Sequence, residues 1–333
     1  MHYKISICIP TYNRAACLQV LLDSIFSQIS EKTPVEICIS NNASTDNTEK
    51  LVREYQNKYH NIVYFRSDNN VGFDRNCLQV VSLAHAEYCW LMGDDDRIKE
   101  GAIDYILNIL SANHGFSGIS LNVDFYNKLL TQKKHYTLHF DSNQSNQNKT
   151  LTSAGEILPF LIDHFGFISA QIIKRNLWEE IINNNVTRNF LNSYVHLFVI
   201  TGVVNAHPYW LWVARPCVDR RVTTSNIAND SYRQLETMVT AYYQTISHFF
   251  PIHGWMHNKI MESLYKTNIK YSVRSLASSK EKDFTKKAIS LLLKYNCWRY
   301  PAFWFYTFPW VIMPGKILYL FHYIQKKLFI KQL

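Results

Sequence analysis

The sequence predicts an α/β protein whose N-terminal third forms a largely parallel sheet. Short β-branched and apolar runs recur there, amphipathic helical patterns separate them, and a polar cluster follows each run. The predicted strands are residues 4–10, 35–40, 62–66 and 88–92. Such alternation is typical of parallel strands joined by right-handed crossovers. Ligands of open α/β sheets bind beyond the carboxyl ends of the strands, where the polar clusters lie.

The intervening helices are predicted from apolar residues that share one face. The first helix is expected to follow a cap at Asn13, the second Thr45 and Asp46, and the third Asp74. Further on, helices are predicted over residues 100–110, 177–182 and 194–201, and strands over 118–125, 168–174 and 209–213. The polar stretch 141–150 is predicted to be a surface loop, and only helices are expected after Asp230.

Composition indicates a globular protein that stays in the cytoplasm. The chain has 333 residues, of which 47% are hydrophobic and 18% charged, enough for one large domain or two smaller ones. Its seven cysteines include no C-x-x-C pair, and several lie in apolar runs, as expected of reduced core thiols. The first apolar run is too short for a secretory signal and continues into the first predicted strand.

Positive charge is concentrated in the C-terminal part of the chain. The formal net charge is +9, and residues 255–333 hold 14 Lys and Arg against 3 Asp and Glu. A nucleic-acid binder would carry basic residues and aromatics across one binding face, whereas here the charge accompanies a tail rich in Trp, Tyr and Phe. We therefore expect the cytoplasmic membrane surface, and no nucleic acid, as a partner.

The tail is predicted to lie on the inner face of that membrane without crossing it. Residues 300–315 form an uncharged run of 16 residues that contains Pro301, Pro309 and Pro314, whereas a spanning helix needs about 20 apolar residues. The aromatics expected at the headgroups are Phe303, Trp304, Phe305, Tyr306, Phe308 and Trp310, with Lys316, Lys326, Lys327 and Lys331 nearby. The alternative is that these aromatics pack as ordinary core.

Three polar loops follow the first three predicted strands. Residues 8–14 (CIPTYNR) leave backbone groups free to meet a base and ribose, and residues 39–46 (ISNNASTD) suit either ligand binding or an Asx turn and helix cap. Residues 70–76 (NVGFDRN) place Gly72 in a tight turn and Arg75 where a guanidinium can pair with a diphosphate. Each loop alone also fits an ordinary strand-to-helix connection.

The strongest signal is the run of Asp94, Asp95 and Asp96 after the fourth strand. Adjacent carboxylates repel one another, and a hard divalent cation neutralises them. Alternate side chains of an extended segment point the same way, so Asp94 and Asp96 are predicted to share one metal ion while Asp95 faces elsewhere. The alternative is a solvated acidic turn that caps the next helix.

These four segments, in this order, resemble glycosyltransferase family 2, and within it the abequosyltransferase-like O-antigen and capsule transferases. The resemblance covers residues 1–125 well. It implies a GT-A fold, a mixed Rossmann-like sheet flanked by helices, followed here by a helical C-terminal extension. It also implies domains at 1–228 and 229–333, the first divided into a nucleotide-sugar half (1–125) and an acceptor half (126–228).

The resemblance also implies roles for individual residues. Pro10, Thr11 and Tyr12 match the nucleoside-lining segment, with Arg14 and Asn42 beside it, and Arg75 matches an Arg behind the diphosphate. Asp95 and Asp96 match an Asp pair, with Asp96 the expected direct ligand of Mg²⁺ or Mn²⁺ and Asp94 a second. Arg221, rather than Arg220, is expected to close over the diphosphate from a flexible loop.

Two positions depart from the family pattern. Asn41 stands where most members have a base-binding Asp; because an amide both donates and accepts, UDP-, CDP- and dTDP-sugars all stay open as donors. Near residue 192, where an Asp base is expected, there is no carboxylate. His196 is the nearest alternative base, although a packed helical His is at least as common. Asp163, together with His164, is the reserve.

The function predicted from the sequence is metal-assisted transfer of a sugar from a nucleotide-diphosphate sugar to a lipid-linked or growing bacterial surface polysaccharide. Two alternatives are a non-catalytic sugar-nucleotide-binding protein and a sugar nucleotidyltransferase. The second should carry a glycine-rich loop for a triphosphate after the first strand, but residues 8–14 contain no Gly.

Overall fold

The computed structural model describes residues 2–113, 115–134, 147–222, 231–277 and 283–312. They form two compact units, Met1–Thr224 and Ser225–Leu333. The ten strands are β1 (Ile5–Thr11), β2 (Val35–Asn41), β3 (Ile62–Arg66), β4 (Tyr88–Leu91), β5 (Arg97–Ile98), β6 (Gly118–Tyr126), β7 (Lys133–Lys134), β8 (Lys149–Leu151), β9 (Gln171–Lys174) and β10 (Trp210–Arg221). The predicted α/β fold with a mixed sheet is confirmed.

Helices flank this sheet in the first unit and make up the second. Those of the first unit are α1 (Ala15–Phe26), α2 (Thr48–Gln56), α3 (Phe73–Ser82), α4 (Ala102–Ala112), α5 (Ala154–Leu161), α6 (Arg175–Ile182) and α7 (Val195–Ala206). Those of the second are α8 (Ser231–Phe249), α9 (Trp255–Lys266), α10 (Asn268–Ala277), α11 (Phe284–Lys294) and α12 (Phe308–Ile312), with a π-helical turn at Phe303–Thr307.

The sheet has the order β3-β2-β1-β4-β9-β6-β10-β5. β3, β2, β1 and β4 are mutually parallel, as the alternating pattern predicted. β9 then enters antiparallel between β4 and β6. Its neighbours Ile172 and Ile173 point to opposite faces of the sheet and are both fully buried, so both faces are covered there. The sheet therefore interleaves the predicted halves, because β9 and β10 of the acceptor half lie on either side of β6 of the nucleotide half.

The strand predicted at residues 209–213 is longer than expected. β10 continues to Arg221, parallel to β6, and its register shifts on both sides of Pro216. Pro216 has no backbone N–H to donate to the neighbouring strand. The bulge accommodates it, and the pairing with β6 resumes afterwards. The expectation of a flexible loop at Arg220 and Arg221 is wrong, because both residues pair with the end of β6. Residues 223–230, the rest of that expected loop, lie outside the described residues.

The polar stretch predicted as a surface loop is described only in part. Residues 135–146 lie outside the described residues, and Lys149 and Thr150 belong to β8, antiparallel to β10.

The second unit has its own apolar core. α8 packs on α10 and α11, and the π-helical turn packs on α9 and α10. Of the aromatics predicted for the membrane face, Phe303 is only 2% exposed, whereas Trp304 and Phe305 are largely exposed. In the described part of the chain, no helix combines the length and apolar character that crossing a bilayer requires.

Candidate active site

The acidic run forms a turn at the carboxyl end of β4. The Asp96 N–H donates to the Gly93 carbonyl over 3.3 Å, so residues 93–96 are not extended. The expected extended segment, in which Asp94 and Asp96 would point the same way, is therefore not formed. Asp94 contacts the loop after β1, whereas Asp96 contacts the segment before β9 and the end of β10.

Asp94 ties this turn to the first loop. Its carboxylate accepts from the Thr11 hydroxyl at 2.8 Å and from the Arg14 guanidinium at 3.0 Å. Arg14 also pairs with Asp95 at 2.9 Å. Burial raises the pKa of Asp94 to about 6, although the Arg14 charge acts in the opposite direction. The structure thus brings together four of the predicted site residues, Thr11, Arg14, Asp94 and Asp95, from two separate loops.

Asp96 lies at the centre of the site and is 2% exposed. It accepts from the Ser169 hydroxyl at 2.5 Å and from the Arg221 backbone N–H at 2.9 Å. Ser169 also accepts from the Gly93 N–H at 2.9 Å, so it braces both ends of the turn. Burial raises the pKa of Asp96 to about 7, because an ionised carboxylate is poorly solvated there. Sequence reasoning missed Ser169, which no local motif marks.

Asp95 and Asp96 fit a divalent cation. A Cβ built on Gly93 would lie 3.2 Å from Asp96 Oδ2 and 3.4 Å from Asp95 Oδ1, so both oxygens approach the same glycine. Mg²⁺ is commonly held by one or two carboxylates plus substrate phosphates. Among the described residues, no group of three or more His, Cys, Asp or Glu side chains is arranged to hold a metal.

Neighbouring residues of the first loop differ in their exposure to solvent. Pro10 and Thr11 are buried at the end of β1, and Tyr12 exposes 42% of its surface. Asn13 does not cap α1 as predicted. Its backbone is left-handed (φ 51°) and its side-chain oxygen accepts from the Thr45 N–H at 2.7 Å, which joins the first loop to the second.

Asn41 reaches the predicted edge, but its side chain is completely buried. The amide donates to the Tyr64 hydroxyl and accepts from the Ser44 N–H, both at 2.9 Å. In this arrangement Asn41 shapes the loop. Recognition of the base by Asn41 stays a prediction.

Asn42 connects the second loop to the third. Its amide donates to Asn70 at 2.9 Å and accepts from the Val71 N–H at 2.8 Å. Gly72 follows with φ +85°, a conformation that favours glycine, and leads into α3. Arg75 in the first turn of α3 is exposed and makes no ion pair with any described residue. Its guanidinium is thus available to an anionic ligand.

Asp74 of the same helix reaches across to α7. Its carboxylate accepts from the backbone N–H groups of Ser193 at 2.6 Å and Val195 at 3.0 Å. These donors stand at the start of α7, where helix N–H groups lack partners within the helix. Asp74 therefore caps a helix more than a hundred residues later in the chain, an anchor that the sequence did not reveal.

His196, in the first turn of α7, is 2% exposed. Its Nε2 lies 3.2 Å from the Gly166 carbonyl, and Nδ1 is buried without a hydrogen-bond partner. The Phe73 ring packs edge-on against the imidazole, with 6.0 Å between centroids. Burial lowers the pKa of His196 to about 4, so the ring is neutral at pH 7. Because Nδ1 is buried, an acceptor hydroxyl would reach it only if neighbouring groups moved.

The reserve residues lie beside this helix. Asp163 is half-buried, and the neighbouring His164 is buried with its Nε2 at 2.8 Å from the Leu121 carbonyl. Burial lowers the pKa of His164 to about 4. No acidic residue occupies the first turn of α7.

Arg220 and Arg221 have different environments at the end of β10. The Arg221 guanidinium donates to the Asp95 carbonyl at 2.6 Å and also to the Lys128 carbonyl. Arg220 instead lies over the Phe167 ring at 4.3 Å from its centroid, and its charge favours ionised Asp96. Arg220 forms no ion pair among the described residues, and the expected role of Arg221 at the diphosphate stays a prediction.

A charge network secures the strands on which these residues stand. Asp219 accepts two hydrogen bonds from Arg97, at 2.9 and 2.6 Å, and one from Lys99 at 3.0 Å. Lys99 also pairs with Asp124 of β6 at 2.9 Å. β5 follows Asp96 directly and β10 ends at Arg220 and Arg221. The network therefore holds the acidic turn against the end of β10.

Two known proteins are similar to this chain in sequence. Abequosyltransferase RfbV of Salmonella typhimurium is 31% identical over 64% of this chain and 65% of its own length. GalNAc(5)-diNAcBac-PP-undecaprenol β-1,3-glucosyltransferase of Campylobacter jejuni is 24% identical over 59% of each chain. The chain thus spans less than two thirds of either relative.

Two solved structures share the fold. Residues 1–349 of S. aureus TarS, in complex with UDP-GlcNAc, superpose with a TM-score of 0.58 at 15% identity, over 88% of this chain and 80% of that one. Mannosyltransferase PcManGT of Pyrobaculum calidifontis, with GDP-Man and Mn²⁺, gives 0.54 at 14% identity, over 90% and 83%. The sequence profile of glycosyl transferase family 2 matches residues 6–177. The chain therefore belongs to glycosyl transferase family 2.

Proposed function

We propose that this chain transfers a hexose or deoxyhexose from a UDP-, CDP- or dTDP-linked sugar to a hydroxyl of a lipid-linked or growing bacterial surface polysaccharide. The observation that carries the proposal is the acidic turn, in which Asp95 and Asp96 present oxygens over Gly93 beside the Arg220 charge. Carboxylates beside free guanidinium groups suit a metal-bound diphosphate.

The donor would lie along the carboxyl edge of β1 to β4. The exposed Tyr12 ring is available to the nucleoside, and the guanidinium groups of Arg75 and Arg220 to the diphosphate. Asp96 and Asp95 would hold Mg²⁺ or Mn²⁺, which stabilises a leaving diphosphate as a Lewis acid when bound. PcManGT, which shares the fold, is bound to GDP-Man and Mn²⁺, and this supports the proposal of a divalent metal here.

The acceptor hydroxyl must lose a proton as it attacks the anomeric carbon. His196 is our first choice for the base, because its imidazole is neutral at pH 7 and Nδ1 has no hydrogen-bond partner in the structure. Asp163 is the second choice. Inversion at the anomeric carbon is the outcome of such a direct displacement.

The relatives indicate the acceptor class. One is named for transfer to an undecaprenol-linked glycan and another for transfer of abequose. We propose that this chain also acts on a lipid-linked glycan, as a peripheral protein on the inner face of the cytoplasmic membrane.

The test is calorimetric binding of UDP-, CDP-, GDP- and dTDP-sugars with Mn²⁺ or with chelator, followed by turnover on a synthetic lipid-linked acceptor. We expect one nucleotide class to bind in a metal-dependent manner and its sugar to be transferred. The buried His196 and the absence of a carboxylate in the first turn of α7 favour one rival, a non-catalytic sugar-nucleotide-binding protein. Binding without turnover on any acceptor would support that rival.

A further inference from the structure

The tryptophans of the two units differ in exposure. Those of the first unit, Trp90, Trp178, Trp210 and Trp212, are completely buried. In the second unit, Trp255 exposes 67% of its surface, Trp298 48% and Trp304 46%. Exposed aromatic side chains that group into a patch mark an interaction site, whereas single ones are common on any surface. The exposure therefore marks a surface of the second unit.

Contacts link the two segments that carry Trp255, Trp298 and Trp304, and these three exposed side chains are here called the tryptophan surface. The Trp304 indole N–H donates to the Trp298 carbonyl at 2.8 Å. The Arg299 guanidinium contacts the His253 imidazole, which links this segment to the turn before Trp255. Ile252, 48% exposed, lies in that turn.

The turn that presents Trp255 is tightly built. The Gly254 N–H donates to the Pro251 carbonyl at 2.8 Å, and His253 is left-handed (φ 70°). A Cβ on Gly254 would approach the Pro251 carbonyl oxygen to 2.9 Å, so this position requires glycine. Trp255 then begins α9. The tight turn thus fixes the backbone position from which Trp255 is exposed.

Cations accompany two of the exposed rings. Lys259 Nζ lies 4.9 Å from the centroid of the Trp255 ring, and the Arg299 guanidinium lies 5.1 Å from that of Trp298. Residues 255–333 hold 14 basic against 3 acidic residues. Amphipathic indoles with neighbouring Lys and Arg are the side chains that settle at the headgroup level of a bilayer. Anionic lipid also complements the excess of positive charge.

We propose that the tryptophan surface binds the anionic headgroup region of a lipid bilayer, with Trp255 and Trp298 entering the interface and Lys259 and Arg299 pairing with lipid phosphates. This inference rests on the proposed function in that it gives the surface by which the chain meets a lipid-linked acceptor. It names the turn before α9, which lies outside the aromatic tail that the sequence predicted.

The test is co-sedimentation of the full chain with phosphatidylcholine vesicles, with and without phosphatidylglycerol. We expect binding to the anionic vesicles that weakens with salt, and a loss of about tenfold or more in Trp255→Ala/Trp298→Ala. Lys259→Gln/Arg299→Gln should lower binding and its salt dependence while keeping the rings. Leu293→Ala, which changes an equally exposed apolar residue of α11, is the matched control.

Unchanged vesicle binding by both double variants, with melting temperatures near that of the parent, would overturn the proposal. So would lipid-free self-association that the tryptophan variant abolishes, because the surface would then join two copies of the chain. Nucleotide-sugar binding is measured in parallel without vesicles. If it fails while vesicle binding persists, the proposed function is wrong and the lipid surface stands.

Discussion

The backbone N–H of Arg221 donates to the Asp96 carboxylate over 2.9 Å, so β10, the last strand along the chain, supports the acidic turn after β4. Ser169 supports the same carboxylate from a third segment. Asp96 is thus held by two segments that each lie more than seventy residues after it in the sequence.

Asp96→Asn should abolish metal-dependent donor binding while the fold stays intact. The amide keeps an oxygen for the Arg221 N–H but loses the charge that a cation requires. Calorimetry with Mn²⁺ and the nucleotide sugar measures the loss, and thermal unfolding monitors the fold. Asp104→Ala, an exposed Asp of α4, is the control. Undiminished parental activity in excess chelator would contradict the metal assignment.

Arg220→Ala and Arg221→Ala should have different effects. Arg220 has no ion pair among the described residues, so its loss should raise the KM for the donor about tenfold or more with little effect on stability. Arg221 donates to the Asp95 and Lys128 carbonyls, so its loss should lower the melting temperature as well as activity. Steady-state kinetics and calorimetric melting separate the two, and equal losses of stability would refute the distinction.

His196→Ala should lower turnover by about 10²-fold or more with little change in donor affinity, as expected on loss of a general base. His207→Ala, at the other end of α7, is the matched control because its imidazole pairs with Glu180 at the surface. Turnover is measured under donor saturation. A variant with parental turnover would move the role to Asp163, whose Ala variant should then be inactive.

Asp74→Ala should destabilise the first unit by about 1–2 kcal/mol, as the loss of a helix cap does. Asp74→Asn should lose less, because an amide oxygen still accepts from a backbone N–H. Urea unfolding at neutral pH gives both values. A parental midpoint for Asp74→Ala would mean that the Ser193 and Val195 donors find water instead.

Stability should depend on pH through the buried histidines. Burial lowers the pKa of His164 and His196 to about 4, whereas the unfolded chain binds these protons below about 6.5. The unfolded state therefore holds more protons between these values, and the histidines' contribution to stability is lost as pH falls from 6.5 to 4. The raised pKa values of Asp94 and Asp96 act in the opposite direction.

The comparison that isolates this effect is His196→Gln against the parent at each pH. Gln removes the titration and can still donate to the Gly166 carbonyl. Its melting temperature should fall less steeply below pH 6.5. Parallel curves for the two proteins would show that His196 does not titrate on unfolding.

Local patterns predicted the parts of the fold that local physics determines. The first four strands and the loops after them follow from periodicity and from turn residues such as Gly72. The Asp cluster was recognisable because like charges seldom adjoin without a counter-ion. Its conformation was not, because a turn closed by the Asp96 N–H and Gly93 carbonyl leaves no mark in side-chain periodicity.

What the sequence could not predict depends on distant partners. Ser169 approaches Asp96 only because β9 enters beside β4, and Asp74 meets Val195 only because α7 packs against α3. The predicted strand ended at residue 213, yet a bulge carries β10 past Pro216 to Arg221. The different surroundings of Arg220 and Arg221 were likewise hidden, because the carbonyls that accept from the Arg221 guanidinium belong to the distant Asp95 and Lys128.

The position of β9 has a consequence for how the protein is made. During synthesis, β4 and β6 emerge from the ribosome well before β9, the strand that lies between them and hydrogen-bonds to both. Until residues 171–174 emerge, β4 and β6 lack the strand that separates them in the fold, and unpaired strand edges are templates for wrong pairing between chains. We therefore expect a nascent chain released near residue 125 to aggregate or require a chaperone, and one released after β10 to fold unaided.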